Sequence, residues 1–179
     1  MLHEKIPVPA PGEYAPFYAG YVAAVAGEDV AEVLRSQPVE LRALLGSLSD
    51  EAARYRYAPG KWSVKEVVGH LTDAERILAC RLLRIARGDA TPLPGFDEQA
   101  YVAAAGFDRL PLASLLDGFE TARAATLALV ETLAPEDGTR QGTANGTPVS
   151  VRALLYILAG HVRHHQRILR ERYAAVVAG

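Results

Sequence analysis

Cysteine, methionine and tryptophan each occur once in 179 residues, and no apolar run approaches the roughly 18 residues of a membrane span. A lone cysteine excludes an intramolecular disulfide and fits a reducing cytoplasm. The opening residues hold Glu4, Pro7, Pro9 and Pro11 but no apolar segment led by Lys or Arg, so the sequence predicts no signal peptide and no membrane partner. An excess of one charge is also missing. Lys and Arg number 19 against 21 Asp and Glu, the two signs are interspersed, and the net charge is −2. The basic face that phosphate-backbone binding needs is therefore absent as a bulk property, and nucleic acid is not an expected partner. Sixteen of the nineteen basic residues are arginines and alanine is abundant, which a GC-rich coding sequence explains. Internal repeats and low-complexity tracts are lacking too.

What is present is apolar side chains, half of the total, arranged in helical register. Residues 1–27 read as an arm: Pro7, Pro9, Pro11 and Pro16 prevent a continuous helix, while Tyr14, Phe17, Tyr18 and Tyr21 give it something to bury across the bundle. A short turn from Pro16 to Ala26, lying over a site as a lid or simply packed, is compatible with this. Residues 28–179 read as one helical domain, of a length that supports a sizeable core. Asp29 with Glu32 starts a first helix, whose stripe of Val30, Val33, Leu34, Leu41, Leu44, Leu45 and Leu48 is interrupted by Pro38, where a kink is expected. Ser63 and Glu66 form a capping box behind Trp62, and the helix they open runs to Arg87 before Gly88. Asp97 caps a short helix, Glu98 to Ala105. Pro111 opens a long one with Leu112, Leu115, Leu116, Phe119, Ala122, Leu127, Val130 and Leu133 on its stripe. The glycine-containing stretch Glu136 to Pro148 reads as a long loop, and Ser150 to Tyr173 as the last helix. No segment alternates well enough for a sheet. The fold class is all-α, an antiparallel four-helix bundle with an extra short helix and an N-terminal arm.

The last helix carries Gly160-His161-Val162-Arg163-His164-His165-Gln166. Its apolar stripe is Val151, Leu154, Leu155, Leu158, Val162 and Leu169, and His161 and His165 fall inside it. Imidazoles four residues apart lean over the same turn, about 40° apart, whereas His164 lies about 60° from His161 in the other direction, at the margin. Two histidines aimed into a bundle core are either satisfied by buried acceptors or share an ion, and an ion needs a third ligand. His70 is the best candidate, on the flank of its helix's stripe beside Ala74, Ile77 and Arg81. His3 sits on the arm, and Cys80 points away. Asp73, one turn beyond His70 and read as lying on the same flank, is a candidate to orient an imidazole or act as general base, with an ordinary exposed aspartate as the plainer reading. Arg81 is a candidate to hold an anionic substrate, and an ion pair with Asp73 is the plainer role for it.

Taken in order, Lys61-Trp62-Ser63-Val64-Lys65-Glu66-Val67-Val68-Gly69-His70-Leu71, Asp73 and the final Gly160-His161 to His165 make the chain similar to the DinB/YfiT-like superfamily of four-helix bundles. Glu13-Tyr14-Ala15-Pro16 and Pro94-Gly95-Phe96-Asp97 resemble one branch of it. The resemblance implies a divalent metal, zinc or nickel, on His70, His161 and His165, and often a homodimer. It also implies either a metal-dependent hydrolase or a transferase that uses a low-molecular-weight thiol. The alternative is a non-catalytic stress-response bundle whose ion ties helices together. A carboxylate as fourth ligand would favour that alternative, and an open position facing a cleft would favour the enzyme. Proton competition for imidazoles of ordinary pKa, less what burial subtracts, predicts loss of metal through roughly pH 6 to 5.

Overall fold

The computed structural model describes residues 6–177. Seven α-helices follow a short 3-10 turn at Pro16–Tyr18: α1 (Ala19–Val25), α2 (Val30–Leu45), α3 (Val64–Ala86), α4 (Glu98–Ala105), α5 (Leu112–Glu131), α6 (Val151–Arg172) and α7 (Ala174–Val177). Their starts are set by the residues that the sequence marks. Asp29 accepts from the Ala31 amide, Asp97 from those of Gln99 and Ala100, and Ser63 and Glu66 close a reciprocal capping box. Gly88 adopts a φ of 77°, the left-handed conformation that ends α3. Among the described residues no helix is long and apolar enough to cross a membrane.

The bundle is built from α2, α3, α5 and α6. Helix α3 packs on α5 and α6, and α2 packs on the same two, so α2 and α3 face each other across a diagonal. Helices α3 and α6 run antiparallel: Trp62 O accepts from Tyr173 Oη at one end, and His70 meets His161 further along. Helices α2 and α5 are also antiparallel, with Arg42 reaching Asp117 and Leu34 O reaching Arg123. The other two neighbouring pairs run in the same direction. Along α3 and α5 the contacts Lys65–Leu110, Glu75–Arg123 and Arg87–Thr132 advance together. The expected antiparallel relation thus holds for two of the four seams. Of the parallel pairs only α3 and α5 are consecutive in the bundle, and the α4 segment supplies the long crossover between them.

The stretch between α5 and α6 corrects one expectation. Residues 136–148 are not simply a loop. After a 3-10 turn at Pro135–Thr139, β1 (Gln141–Ala144) and β2 (Thr147–Ser150) form an antiparallel hairpin in which Gln141 faces Ser150 and Ala144 faces Thr147. Its turn is Asn145-Gly146, with φ of 49° and 74°, the two-residue turn of positive φ that this dipeptide favours. Leu93 adds to its edge: the Leu93 amide donates to Thr143 O, and the Asn145 amide donates to Leu93 O. The hairpin thereby pins the loop that leads into α4.

The core falls into two apolar clusters. One joins the start of α2, the end of α3 and the first half of α6; the other joins the end of α2, the start of α3, α5 and the second half of α6. A polar layer lies between them. The buried Arg123 guanidinium donates twice to Glu75 at 2.8 Å, to Gln37 Oε1 at 2.8 Å and to Leu34 O at 3.0 Å. Gln37 Nε2 in turn donates to Ala159 O at 2.7 Å. Pro38 does not break α2. Lacking an N–H, it frees the carbonyl four residues back, Leu34 O, and Arg123 provides the missing donor.

The arm packs along α6. Glu13 accepts from Arg152 and Ser150, and Tyr156 Oη donates to Ile6 O. Helix α1 comes so near to α6 that a Cβ on Gly160 would lie 2.1 Å from Tyr21 O. Backbone cannot yield as a side-chain tip can, so Gly160→Ala should push α1 away and destabilise the fold by about 1–3 kcal/mol in urea unfolding. A variant as stable as the parent would show that this approach is not tight.

Candidate metal centre

Antiparallel packing of α3 on α6 brings His70 against the His161/His165 pair. His70 Nε2 lies 3.0 Å from His161 Nε2. Ring centroids are 4.9 Å apart for His70 and His161, 5.0 Å for His70 and His165, and 4.7 Å for His161 and His165. One nitrogen from each ring lies within 4.8 Å of the other two, which is the spacing of donors around a single ion. Trp62 stacks near His165 at 6.5 Å and tilts over His70 at 4.7 Å, while its indole N–H donates to Gln99 Oε1. Tyr21 covers the other side, 5.5 Å from His161 and 5.3 Å from His164. His164 lines the same cleft but stands outside the group of three.

Burial keeps these imidazoles neutral. Desolvation pushes His70 down to about 4 and His165, with the charges of His70 and His164 adding, down to about 3. His161 is driven well below the ordinary value, first by burial and then by its histidine neighbours and Arg123. Neutral imidazole is the form that binds a metal. The folded site therefore resists protons to a lower pH than the 6 to 5 window expected of ordinary histidines.

The triad forms the floor of a cleft of about 160 Å³. Phe17, Tyr18 and Tyr21 from the arm, Ala74, Leu78 and Ile157 from the bundle, and Arg81, Phe96 and Glu98 line it with the histidines. Sequence reasoning did not single out Glu98. Its Oε2 lies 3.9 Å from His70 Nε2, and desolvation, with Asp97 adjacent, raises its pKa. Among the described residues the mutually close donors are the three histidines, and Glu98 borders them without joining the group. The usable signal was its place in the first turn of α4, next to the loop Pro94–Asp97; what brings it to His70 is the hairpin that holds that loop.

The other candidates separate. Arg81 lines the cleft and is only 6% exposed. Asp73 does not line it; it turns outward and pairs with Arg76 at 3.1 Å, and Arg81 makes no ion pair with it. Helical phase explains both. Relative to His70, Ala74, Leu78 and Arg81 lie at about +40°, +80° and +20°, whereas Asp73 lies at about −60°, on the other flank. Cys80 is exposed and borders a separate groove between α3 and α5. His3 lies outside the described residues.

A bundle in which α2 and α3, and again α5 and α6, lie on diagonals, with three histidines converging at a cleft, defines a class of protein suited to bind a divalent metal. The model of the DinB superfamily matches residues 34–169, and the chain belongs to that superfamily. It is 30% identical over 145 residues to a Geobacillus thermodenitrificans protein named "Putative metal-dependent hydrolase", covering 77% of this chain and 80% of that one. It is 32% identical over 139 residues to a protein of the same description from Geobacillus kaustophilus, covering 74% and 75%. Its fold is similar to that of YfiT from Bacillus subtilis, described as a probable metal-dependent hydrolase with an unusual four-helix bundle topology. The TM-score there is 0.69 at 20% identity, over 89% of this chain and 94% of that one.

Proposed function

We propose that this protein is a metal-dependent hydrolase of a small molecule, with His70, His161 and His165 holding a divalent ion, zinc or nickel, in a bundle spanning 28–179 that residues 1–27 cover as an arm. The observation that carries the reading is the convergence of three neutral imidazoles at the floor of an open cleft with a carboxylate at its rim. Three imidazoles and an open position are the donor set of a catalytic zinc site rather than a closed structural one. When bound, the ion supplies Lewis acidity and a nucleophile at neutral pH. Glu98, 3.9 Å from His70 at the edge of the cleft, would serve as the general base that takes a proton from the attacking group and as the acid that returns it to the leaving group. Its raised pKa suits this exchange, because proton transfer is most effective near the working pH. Trp62 and Tyr21 pack against the imidazoles, fixing their orientation and restricting water.

Relatives named for metal-dependent hydrolysis support this assignment. A low-molecular-weight thiol could occupy the same open position, so an activity screen should pair small thiols with electrophilic acceptors as well as test esters and amides. The homodimer that the resemblance implies is read by sedimentation of the metal-loaded protein. Metal content after dialysis against zinc or nickel tests the ligand set directly. His70→Ala, His161→Ala and His165→Ala should each lose the ion, and His164→Ala should retain most of it. Retention by His165→Ala with loss by His164→Ala would shift the site to the wrong side of α6. Chelation should lower the melting temperature by several degrees without unfolding the chain, because both apolar clusters and the Arg123 layer stand without the ion. Unfolding by EDTA alone would instead favour a structural metal.

A further inference from the structure

The two buried arginines differ sharply in their partners. Arg123 is fully enclosed and shares its donors among Glu75, Gln37 and Leu34 O. Arg81 is 6% exposed, yet among the described residues it makes a single hydrogen bond, Nη2 to Pro94 O at 2.7 Å, and no ion pair. A guanidinium has five N–H donors, and burying its charge without a partner is costly. Arg81 borders two spaces: the cleft over the histidines and an outer chamber of about 490 Å³ that also reaches Asn145 and Thr147. Phe17, Tyr18 and Phe96 line both.

We infer that Arg81 is the anchor for a carboxylate of the substrate, and that the substrate is a small monocarboxylic acid with an apolar spacer between its carboxylate and the bond that reacts over the triad. This rests on the hydrolase reading for the location of the reacting bond only. A carboxylate presents two oxygens to the guanidinium fork and needs no other cation. A phosphate dianion fits less well, since Asp97 and Glu98 share the outer chamber and would repel the second charge. The spacer follows from the helix. Eleven residues of α3 place the Cα atoms of His70 and Arg81 about 16 Å apart, a span that the backward lean of the arginine side chain shortens but does not close. The aromatic faces between the two ends suit methylenes rather than polar groups.

The probe is 6-acetamidohexanoate, compared with its uncharged primary amide, by isothermal titration against both EDTA-treated and zinc-loaded protein. The acid should bind in a saturable manner to both forms, with the amide about tenfold weaker or worse, the loss expected for one charge-assisted pair. Arg81→Gln should bind the acid as weakly as it binds the amide, and Arg81→Lys should recover part of the difference. Melting temperature and zinc content of each variant verify that the fold and triad persist, and the acid–amide comparison in the unmodified protein requires no variant to fold. Equal binding of acid and amide, or no saturable binding of the acid, would overturn the assignment. Because the metal-free arm reads Arg81 alone, failure of the carboxylate anchor is distinguishable from failure of the metal site, which appears as lost zinc stoichiometry.

Discussion

Glu75→Leu should lower the unfolding free energy by about 3–5 kcal/mol, among the largest losses that a single substitution in this chain can cause. The variant removes both carboxylate acceptors from Arg123 and leaves a guanidinium enclosed between two apolar clusters, with Gln37 Oε1 and Leu34 O as its remaining acceptors among the described residues. Desolvation of that charge, rather than the attraction lost, sets the size of the effect. The double variant Glu75→Leu/Arg123→Met should recover much of the loss, since a buried pair replaced by apolar groups of similar volume is often close to neutral. Recovery should stay incomplete: Leu34 O, freed by Pro38, would lack its donor, at about 1–3 kcal/mol. Urea unfolding at pH 7.5 measures all three proteins. Added salt should change the single-variant loss little, because ions do not screen an enclosed pair as they do the exposed Arg35–Glu32 contact. A loss under about 1 kcal/mol for Glu75→Leu would mean that water reaches the layer.

This layer is also where the sequence was least transparent. Leu112, Leu116, Phe119, Arg123, Thr126 and Val130 are spaced by fours and threes, as are Val68, Leu71, Glu75, Leu78, Leu82 and Ile85. A charge at an inward position on each of two helices is the mark of a buried pair. Reading only apolar residues onto the stripes hides it, since Glu75 and Arg123 then resemble the solvated charges around them. The triad was legible for the opposite reason. Histidine is rare here, so the spacing of His161 and His165 and the flank position of His70 could be compared directly with helical phase. Phase also put Arg81 on the flank of His70, and both line the cleft, but one turn was too coarse for Asp73, which pairs with Arg76 on the other flank.

Glu98 and the hairpin show a different limit. Capping and the length of α4 could be read from Asp97 and Gly106. The approach of Glu98 to His70 depends on where a loop of prolines and glycine is held, and Leu93 pairing with the hairpin edge decides that. Asn145-Gly146 was the available signal. Pro148 and the short flanking alternation masked it, because a strand that contains proline reads as irregular. Helix direction was equally opaque, since no local property of α3 or α5 reveals that they run parallel.

Acid should unfold the metal-free protein through its site. In the unfolded chain His70, His161 and His165 take protons near pH 6.5, whereas in the folded chain burial holds His70 to about 4, His165 to about 3 and His161 well below its usual value. The folded pKa is the lower one, so the unfolded state binds protons first. Stability is then full above about pH 6.5 and falls as the pH drops towards 4. His70 and His165 should each cost about 2 kcal/mol by pH 5, and His161 adds to the loss in the same direction, so the sum is a large share of the total stability of many domains. Glu13 titrates lower: bonds from Arg152 hold it to about 2, so the stability it adds is present above about pH 4.5 and is lost only below that. Urea unfolding in EDTA at several pH values between 5 and 8 should show the decline, and His165→Gln should reduce its slope by about one proton, or 1.4 kcal/mol per pH unit. Loaded with metal, the protein should hold to lower pH, and release of the ion should coincide with loss of helix rather than precede it. Stability that stays flat from pH 8 to 5 in EDTA would mean that water or a counter-charge already reaches the three imidazoles.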